Sequence, residues 1–130
     1  MTQRKIEIQN FHDKVIEIAA GYLKKLYRVY TNPGSIKNTK VGQHYPDIIL
    51  TPLDSNSISF IIEVETSDSV TAHEAFNQWA DYSKIGGTFY LLIPRDSRSL
   101  AETLCKKFLI RAKFATYWVD NNNHLQINYE

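Results

Sequence analysis

Two short segments decide the fold of this chain. Residues 45–50 read Tyr-Pro-Asp-Ile-Ile-Leu, and residues 58–66 read Ile-Ser-Phe-Ile-Ile-Glu-Val-Glu-Thr. Both are rich in β-branched and aromatic residues and a turn-like stretch separates them, so we predict that they pair as a β-hairpin. Alternate side chains of a strand share one face, which puts Glu63 and Glu65 on the same side, about 7 Å apart. A hairpin that is in register then brings Asp47 close to Glu63.

These carboxylates point to a metal site. Burying a carboxylate among isoleucines is unfavourable unless a positive charge compensates, and residues 41–82 contain 7 acidic side chains and no Lys or Arg. A divalent cation would supply that charge, and oxygen donors suit Mg²⁺ or Mn²⁺ better than zinc. Such a cation binds phosphate oxygens and lowers the pKa of its water, as hydrolysis of a phosphodiester requires. The alternative is that Glu63 and Glu65 are structural carboxylates facing solvent.

Composition limits the remaining possibilities. The chain has 130 residues and a formal charge of +1, which favours one domain over residues 1–130 and argues against a simple polycationic nucleic-acid binder. The acidic segment lies between two basic flanks, since residues 1–40 carry 8 basic and 3 acidic side chains and residues 83–130 carry 7 and 4. We find no apolar run typical of a signal peptide or membrane span, so we expect no membrane partner and a cytoplasmic location. The single cysteine, Cys105, excludes an intramolecular disulfide and is expected to be a buried thiol.

The remaining sequence alternates helical and strand patterns. Capping-box sequences at Thr71–Glu74 and Ser99–Glu102 each indicate the start of a helix, and Gly86-Gly87 indicates the end of the first of these. The first of these helices carries one apolar stripe, typical of a face that packs on the core, formed by Ala72, Ala75, Phe76, Trp79 and Ala80. The predicted order is αβββαβαββ, an α/β fold with a mixed sheet between helices. We predict helices over about 9–26, 71–85 and 99–111, and strands over about 27–31, 47–51, 58–65, 88–93, 115–119 and 125–129.

Pro46-Asp47 followed by Glu63-Val64-Glu65 resembles the signature of the PD-(D/E)XK nuclease superfamily, whose fold is called restriction-endonuclease-like. That fold has an αβββαβ core, with Pro-Asp at one strand and (Asp/Glu)-x-Lys on the next. A second motif, Gln78 and Tyr82 on the following helix, resembles the Gln-x-x-x-Tyr motif of the RecB-like branch. By the family's pattern, Asp47 and Glu63 would hold the metal, while Gln78 and Tyr82 would brace the site or contact the nucleic-acid backbone. The alternative is that Gln78 is a surface residue and Tyr82 only packs.

One position departs from the family's pattern. Glu65 stands where the family has a Lys that positions or activates the attacking water, so Glu65 would act as a general base or as a further metal ligand. The same replacement is also compatible with a catalytically inactive member. Three weaker candidates are Lys84 as a migrated positive charge, Glu17 as the acidic residue that many members carry on the first helix, and His44 beside the Pro-Asp strand.

The leading functional hypothesis is therefore a Mg²⁺- or Mn²⁺-dependent nuclease that acts on DNA, with the basic flanks contacting phosphates. It would act as a homodimer or with a larger protein partner. The second hypothesis is a catalytically inactive domain of the same fold that binds nucleic acid or protein. The third is an unrelated α/β interaction domain, which a separation of more than about 8 Å between Asp47 and Glu63 would favour.

Overall fold

A computed structural model describes residues 3–33 and 39–130, with side chains described from residue 7 onward in the first helix. The elements follow the order αβββαβαββ, as predicted. A π-helical turn joins two short α-helices, and a 3-10 turn precedes the last helix. The helices are α1 (Gln3–Leu23), α2 (Ala72–Glu74), α3 (Ala80–Ile85) and α4 (Arg98–Lys107), with a π-helical turn over Ala75–Trp79 and a 3-10 turn over Arg95–Ser97. The strands are β1 (Arg28–Thr31), β2 (Ile48–Thr51), β3 (Phe60–Val64), β4 (Thr88–Pro94), β5 (Lys113–Val119) and β6 (Leu125–Tyr129). We call the continuous helical stretch 72–85 the middle helix.

The six strands form one mixed sheet in sequence order, β1-β2-β3-β4-β5-β6. Strand β3 pairs in parallel with β4, and β4 pairs in parallel with β5, whereas the other neighbours are antiparallel. The predicted hairpin is confirmed as the β2–β3 pair, and the strands predicted over 115–119 and 125–129 pair with each other as β5 and β6. The molecule is therefore an α/β protein with a mixed sheet.

Apolar side chains bury both faces of this sheet. On one face α1 contributes Val15, Ile16 and Ala19, which pack against β2, β3, β4 and β5. On the other face the middle helix and α4 contribute Trp79 and Cys105, among others. Cys105 is buried as predicted, and burial raises the pKa of its thiol to about 11. No helix within the described residues is both long and apolar enough to cross a membrane.

The helix start predicted at Thr71 is confirmed, and the cap predicted at Ser99 is wrong. The Thr71 hydroxyl accepts a hydrogen bond from the Glu74 amide, which is one of the two hydrogen bonds of a capping box. By contrast, α4 begins at Arg98, one residue before the predicted cap at Ser99, and the Glu102 carboxylate pairs with Arg98 instead. Arg98, on the first turn of α4, therefore forms an ion pair with the glutamate that the predicted capping box required.

The end of α4 was also predicted wrongly. The helix ends at Lys107 rather than near Arg111, because Leu109 adopts a left-handed conformation with φ of 56°. The Ile110 amide then donates to the Cys105 carbonyl at 2.8 Å, which is the hydrogen-bond pattern of a Schellman cap. Glycine usually occupies this position, and its absence removed the sequence signal for the helix end.

Candidate functional site

The β2–β3 register places Asp47 next to Glu63. Ile48 pairs with Ile62, so the preceding residue of one strand lies opposite the following residue of the other. The Asp47 amide donates to Oε1 of Glu63 at 2.9 Å, and the Val64 amide donates to Oδ2 of Asp47 at 2.8 Å. The two carboxylates are thus tied to each other's strands, and the 8 Å separation that would have argued against a shared site is excluded.

Glu65 follows β3 directly and its position is fixed by three hydrogen bonds. Its amide donates to the Leu92 carbonyl at 2.9 Å, and its carbonyl accepts from the Tyr117 hydroxyl at 2.6 Å. Its Oε1 accepts a hydrogen bond from Nε1 of Trp79, the last residue of the π-helical turn, at 3.1 Å. Glu63 and Glu65 point to the same side of the sheet, as the strand period predicted, and both are less than 10% exposed.

The three carboxylates line one polar cavity of about 550 Å³ at the carboxyl end of β3, which we call the carboxylate cavity. Gln78 and Tyr82 line it from the middle helix, so the structure brings together all five principal residues of the sequence prediction. The other side chains lining it that matter for the chemistry are His12, His44, Asp68, Ser69 and Glu74. The described residues that line it include no Lys and no Arg.

Burial makes the ionised forms of Glu63 and Glu65 unfavourable. Burial, together with the charges of Asp47 and Glu65, raises the pKa of Glu63 well above its usual value. Burial also raises the pKa of Glu65 to about 8, although hydrogen bonds from Ser69 and Trp79 oppose the change. The cavity therefore favours either protons or another source of positive charge at these two side chains.

His12 on α1 lines the same cavity beside Asp47, and the sequence analysis missed it. Its Nε2 lies 2.8 Å from the Val64 carbonyl and 3.3 Å from Oδ2 of Asp47, and its Nδ1 lies 3.2 Å from Oδ1 of Asp13. Burial alone would lower the pKa of His12, but its hydrogen bonds and the charge of Asp47 raise it to about 9. A signal existed, because His12 lies one turn from Ile8 and from Ile16 on the helix face that packs on the sheet.

Asn32 is a second residue that the sequence analysis missed, since it was interpreted only as part of the turn after β1. The side chain is buried, and its Nδ2 donates to the Pro46 carbonyl at 2.7 Å and to the Thr39 carbonyl at 2.8 Å. Its backbone amide donates to the Asp47 carbonyl at 3.1 Å. Asn32 therefore fixes the Pro-Asp segment where it enters β2.

Gln78 and Tyr82 occupy the helical wall of the cavity in different ways. Gln78 is half-buried within the π-helical turn, whereas Tyr82 is almost fully buried. The centre of the Tyr82 ring lies 5.3 Å from that of the His44 ring, which it meets edge-on, and 5.7 Å from that of the Phe89 ring. Burial and the charge of Glu63 raise the pKa of the Tyr82 hydroxyl, so this group is a hydrogen-bond donor at neutral pH.

Of the three weaker candidates, only His44 lines the carboxylate cavity. His44 lines the carboxylate cavity, where its Nε2 lies 2.8 Å from Oδ2 of Asp81. Glu17 is exposed and lines a different cavity, between α1 and β1. Lys84 is exposed and is not among the described residues that line the carboxylate cavity, so it supplies no charge there in this structure.

The basic flanks are only partly near the site. Arg95 lies directly after β4 and lines a cavity that adjoins the carboxylate cavity. Arg111 and Lys113 instead line a small cavity with Thr88, at the amino end of β4. Since the carboxylates lie at the carboxyl end of the parallel strand β3, these two cations are at the opposite end of the sheet.

The carboxylates do not converge on one point in this structure. In the part of the chain that the structure describes, no group of three or more His, Cys, Asp or Glu side chains is arranged to hold a metal ion. The protein engages at least one oxygen of each carboxylate, namely Oδ2 of Asp47, Oε1 of Glu63 and Oε1 of Glu65. The donors suit a hard cation in type and charge, but binding one would need side-chain rotation.

Comparison with known protein families, curated proteins and solved structures finds no match for this chain. The resemblance to the PD-(D/E)XK superfamily therefore rests on the two motifs and on the order of helices and strands.

Proposed function

We propose that this chain is a Mg²⁺- or Mn²⁺-dependent nuclease of restriction-endonuclease-like fold that hydrolyses DNA phosphodiester bonds. The observation that carries the proposal is the meeting of Asp47, Glu63 and Glu65 with Gln78 and Tyr82 in one polar cavity. Residues from three separate parts of the sequence, identified as two motifs, share this cavity. The αβββαβ order of the first elements is also the order of that family's core.

The residues divide into ligands and supporting groups. Asp47 and Glu63 would hold the cation, with Glu65 as a further ligand or as the base that accepts a proton from water. When bound, the cation would neutralise the buried carboxylates and polarise a phosphate oxygen and a water molecule. Tyr82 can donate its hydroxyl proton to a phosphate oxygen, and Gln78 can donate from its amide. His12 positions Asp47 from behind, through its contact with Oδ2.

A second candidate is a non-catalytic domain of the same fold that binds nucleic acid or protein. It is favoured by one specific observation, the engagement of Glu65 by Trp79 at the position where the family has its Lys. A carboxylate held in this way is a structural hydrogen-bond partner for a buried indole as well as a potential ligand. Metal binding and cleavage separate the two candidates.

The first experiment is a calorimetric titration of Mn²⁺ into the wild type, Glu63→Gln and Glu17→Gln. The Gln side chain keeps an oxygen that can accept from the Asp47 amide, so Glu63→Gln removes charge with little change in shape. We expect Mn²⁺ to bind the wild type and Glu17→Gln alike, and to bind Glu63→Gln at least about tenfold more weakly. Glu17 is the matched control because it is an exposed glutamate outside the cavity. No binding to the wild type at millimolar Mn²⁺ would overturn the catalytic proposal.

The second experiment measures cleavage of a panel of DNA structures: single strand, blunt duplex, flap and four-way junction. Wild type and Glu17→Gln should cleave at least one of them with Mg²⁺ or Mn²⁺, and Glu63→Gln should lose about 10²-fold or more of that rate. Metal binding without cleavage of any DNA in the panel would favour the binding-domain candidate.

A further inference from the structure

The sheet ends in β6, whose outer edge pairs with no other strand in the part of the chain that the structure describes. Sheet edges usually carry a charged residue, a proline or a β-bulge, which keeps other strands from adding to them. The strand at the opposite edge, β1, begins with Arg28 and is followed by Asn32-Pro33. By contrast, β6 reads Leu-Gln-Ile-Asn-Tyr, with no charge and no proline, and its register with β5 runs without a bulge. The edge of β6 is therefore suited to pairing with another strand.

Hydrogen bonds at the two ends of the β5–β6 pair show which backbone groups lie on this outer edge. The Asp120 amide donates to the His124 carbonyl at 2.9 Å, and the Glu130 amide donates to the Phe114 carbonyl at 3.0 Å. In an antiparallel pair, residues that bond to the neighbouring strand alternate with residues that face away from it. The even-numbered residues of β6 therefore direct their backbone groups to β5. The odd-numbered residues direct theirs outward, and these are Leu125, Ile127 and Tyr129.

This outward pattern is complementary to itself. Two copies of β6 can run antiparallel about a two-fold axis at Ile127, so that the two Ile127 residues exchange backbone hydrogen bonds. Leu125 of each copy then exchanges hydrogen bonds with Tyr129 of the other, and every outward amide and carbonyl of the strand is satisfied. Shifting one strand by two residues would place at least one of these three residues opposite a residue outside β6.

The side chains also match in this register. On the sheet face that α1 covers, Leu125 lies opposite Tyr129, which is 42% exposed without a partner strand. On the other face the opposite pairs are polar and exposed, namely Gln126 with Asn128 and His124 with Glu130. A histidine can donate a hydrogen bond to a carboxylate, and apolar or complementary cross-strand pairs stabilise a sheet. No two like charges lie opposite each other between residues 124 and 130.

We propose that β6 is a dimerisation edge, at which a second copy of this chain adds its own β6 in the antiparallel register centred on Ile127. The inference is independent of the proposed nuclease function. The two-fold axis reverses the direction of β3, so the carboxylate cavities of the two copies lie at opposite ends of the joined sheet. Pairing of two five-residue strands buries less surface than the roughly 1,600 Å² of a typical stable interface, so the dimer is a weak one that dissociates on dilution.

The first experiment is sedimentation equilibrium between about 1 μM and about 1 mM protein. It compares the wild type with two double variants, Gln126→Glu/Asn128→Glu and Gln126→Lys/Asn128→Glu. Position 126 lies opposite position 128 in the proposed register, so the first variant opposes like charges and the second opposes unlike charges. Both variants change the same two exposed residues, so each is the matched control of the other. The first should dimerise at least about tenfold more weakly than the second, and the wild type should also form dimers.

The second experiment needs no substitution and measures amide hydrogen exchange of the wild type by NMR at both ends of this concentration range. The outward amides of Leu125, Ile127 and Tyr129 should exchange more slowly in the concentrated sample, because the second copy accepts hydrogen bonds from them. The amides of Gln126 and Asn128, which face β5, should exchange slowly at both concentrations. The control is the Val29 amide on the outer edge of β1, whose exchange rate should not change.

Three results would overturn the inference. A protein that stays monomeric up to about 1 mM would do so, as expected if the edge instead accepts a strand from a different protein. Masses that grow beyond the dimer would do so as well, because adding β6 of one copy to β1 of the next makes an open chain of molecules. Equal dimerisation of the two double variants, or outward amides that exchange alike at both concentrations, would place the contact elsewhere on the molecule.

Discussion

Glu65 occupies the position at which the family resemblance expects a positive charge, yet it is a buried acid. Its Oε1 is held by the Trp79 indole and its carbonyl by the Tyr117 hydroxyl, so both ends of the residue are fixed. Burial raises its pKa to about 8 from the ordinary value of 4.5. An acid with a raised pKa favours folding only while it is protonated, so its ionisation opposes the folded state at alkaline pH.

Replacing Glu65 by Gln should therefore stabilise the metal-free protein in a pH-dependent way. At pH 8 in EDTA we expect Glu65→Gln to raise the free energy of unfolding by about 2 kcal/mol, because the amide never ionises. At pH 4.5 the difference should nearly vanish, since the wild-type carboxyl is then protonated in the folded state. Urea unfolding at both values of pH checks this, with the exposed Glu17→Gln as the control. Equal stability of Glu65→Gln and wild type at pH 8 would show that the protein already compensates this charge.

How far single residues could be predicted depends on how local their signal is. The approach of Asp47 to Glu63 follows from the period of a strand and a short turn, both of which are visible in the sequence. The contact of His12 with Asp47 joins residues 35 positions apart, and no local pattern encodes it. Trp79 lies on the predicted apolar stripe, and a buried indole N–H needs a hydrogen-bond acceptor. The sequence therefore indicated that Trp79 would have a polar partner, although not that the partner is Glu65.

At the scale of elements, the connection from the middle helix to β4 makes a close backbone contact at the end of the sheet opposite the carboxylate cavity. Gly87 has a φ of 71°, and a Cβ at this position would lie 2.7 Å from the Ser59 carbonyl oxygen and 2.8 Å from the Ile58 carbonyl oxygen. The chain therefore passes so close to the segment before β3 that only glycine fits. This contact fixes where β4 begins relative to β3.

Gly87→Ala should destabilise the protein by roughly 2 kcal/mol or more, because the clash is with backbone atoms that cannot rotate away. Gly21→Ala is the matched control, since a Cβ at Gly21 on α1 meets nothing within 4 Å. That second substitution should instead stabilise the protein by about 0.5 kcal/mol through helix propensity. Thermal unfolding of both variants checks the pair, and destabilisation of the same size in both would contradict the argument from close approach.

The elements themselves were predicted where their ends carry chemical signals. Thr71 at the start of the middle helix and the glycines at its end are such signals, and the predicted range agrees with the structure. The π-helical turn at its centre was not predicted, because its side chains also fit a regular helix. The predicted apolar stripe was wrong for Phe76, which is 65% exposed and contacts the Phe108 ring at the surface.

For the whole molecule, the sequence predicted a mixed α/β fold but not how the strands pair outside the hairpins. The hairpins β2–β3 and β5–β6 join strands that are consecutive in the sequence, whereas the parallel pairs of β4 with β3 and β5 depend on the middle helix and α4, which connect them across one face of the sheet. The position of the basic residues depends on the same pairing. Arg95 therefore lines a cavity that adjoins the carboxylate cavity, whereas Arg111 and Lys113 lie at the opposite end of the sheet.

Stability of the whole protein should fall as the pH rises when no divalent metal is present. The stabilisation associated with protonated Glu65 is complete below about pH 4.5 and is lost as the pH approaches 8. That of protonated His12 is complete below 6.5 and is lost as the pH approaches 9. Both groups bind a proton more tightly in the folded state, so both slopes have the same sign.

Thermal melts in EDTA between pH 5 and pH 9 should therefore show a melting temperature that decreases steadily. Adding Mn²⁺ at pH 9 should restore part of the loss, because a cation bound only to the folded state replaces the missing protons. A melting temperature that is constant or that rises over this range would contradict the charge distribution described for the cavity.

The single buried cysteine gives the molecule its own reporter of opening. Cys105 lies on the face of α4 that packs on the sheet, and the raised pKa of its thiol keeps it largely unreactive while the helix is docked. A disulfide reagent at pH 8 can therefore modify the folded chain only when α4 detaches or the whole domain unfolds. Because the Schellman cap at Leu109 ends that helix, the labelling rate of one thiol would measure how often this corner of the protein opens, without any engineered probe.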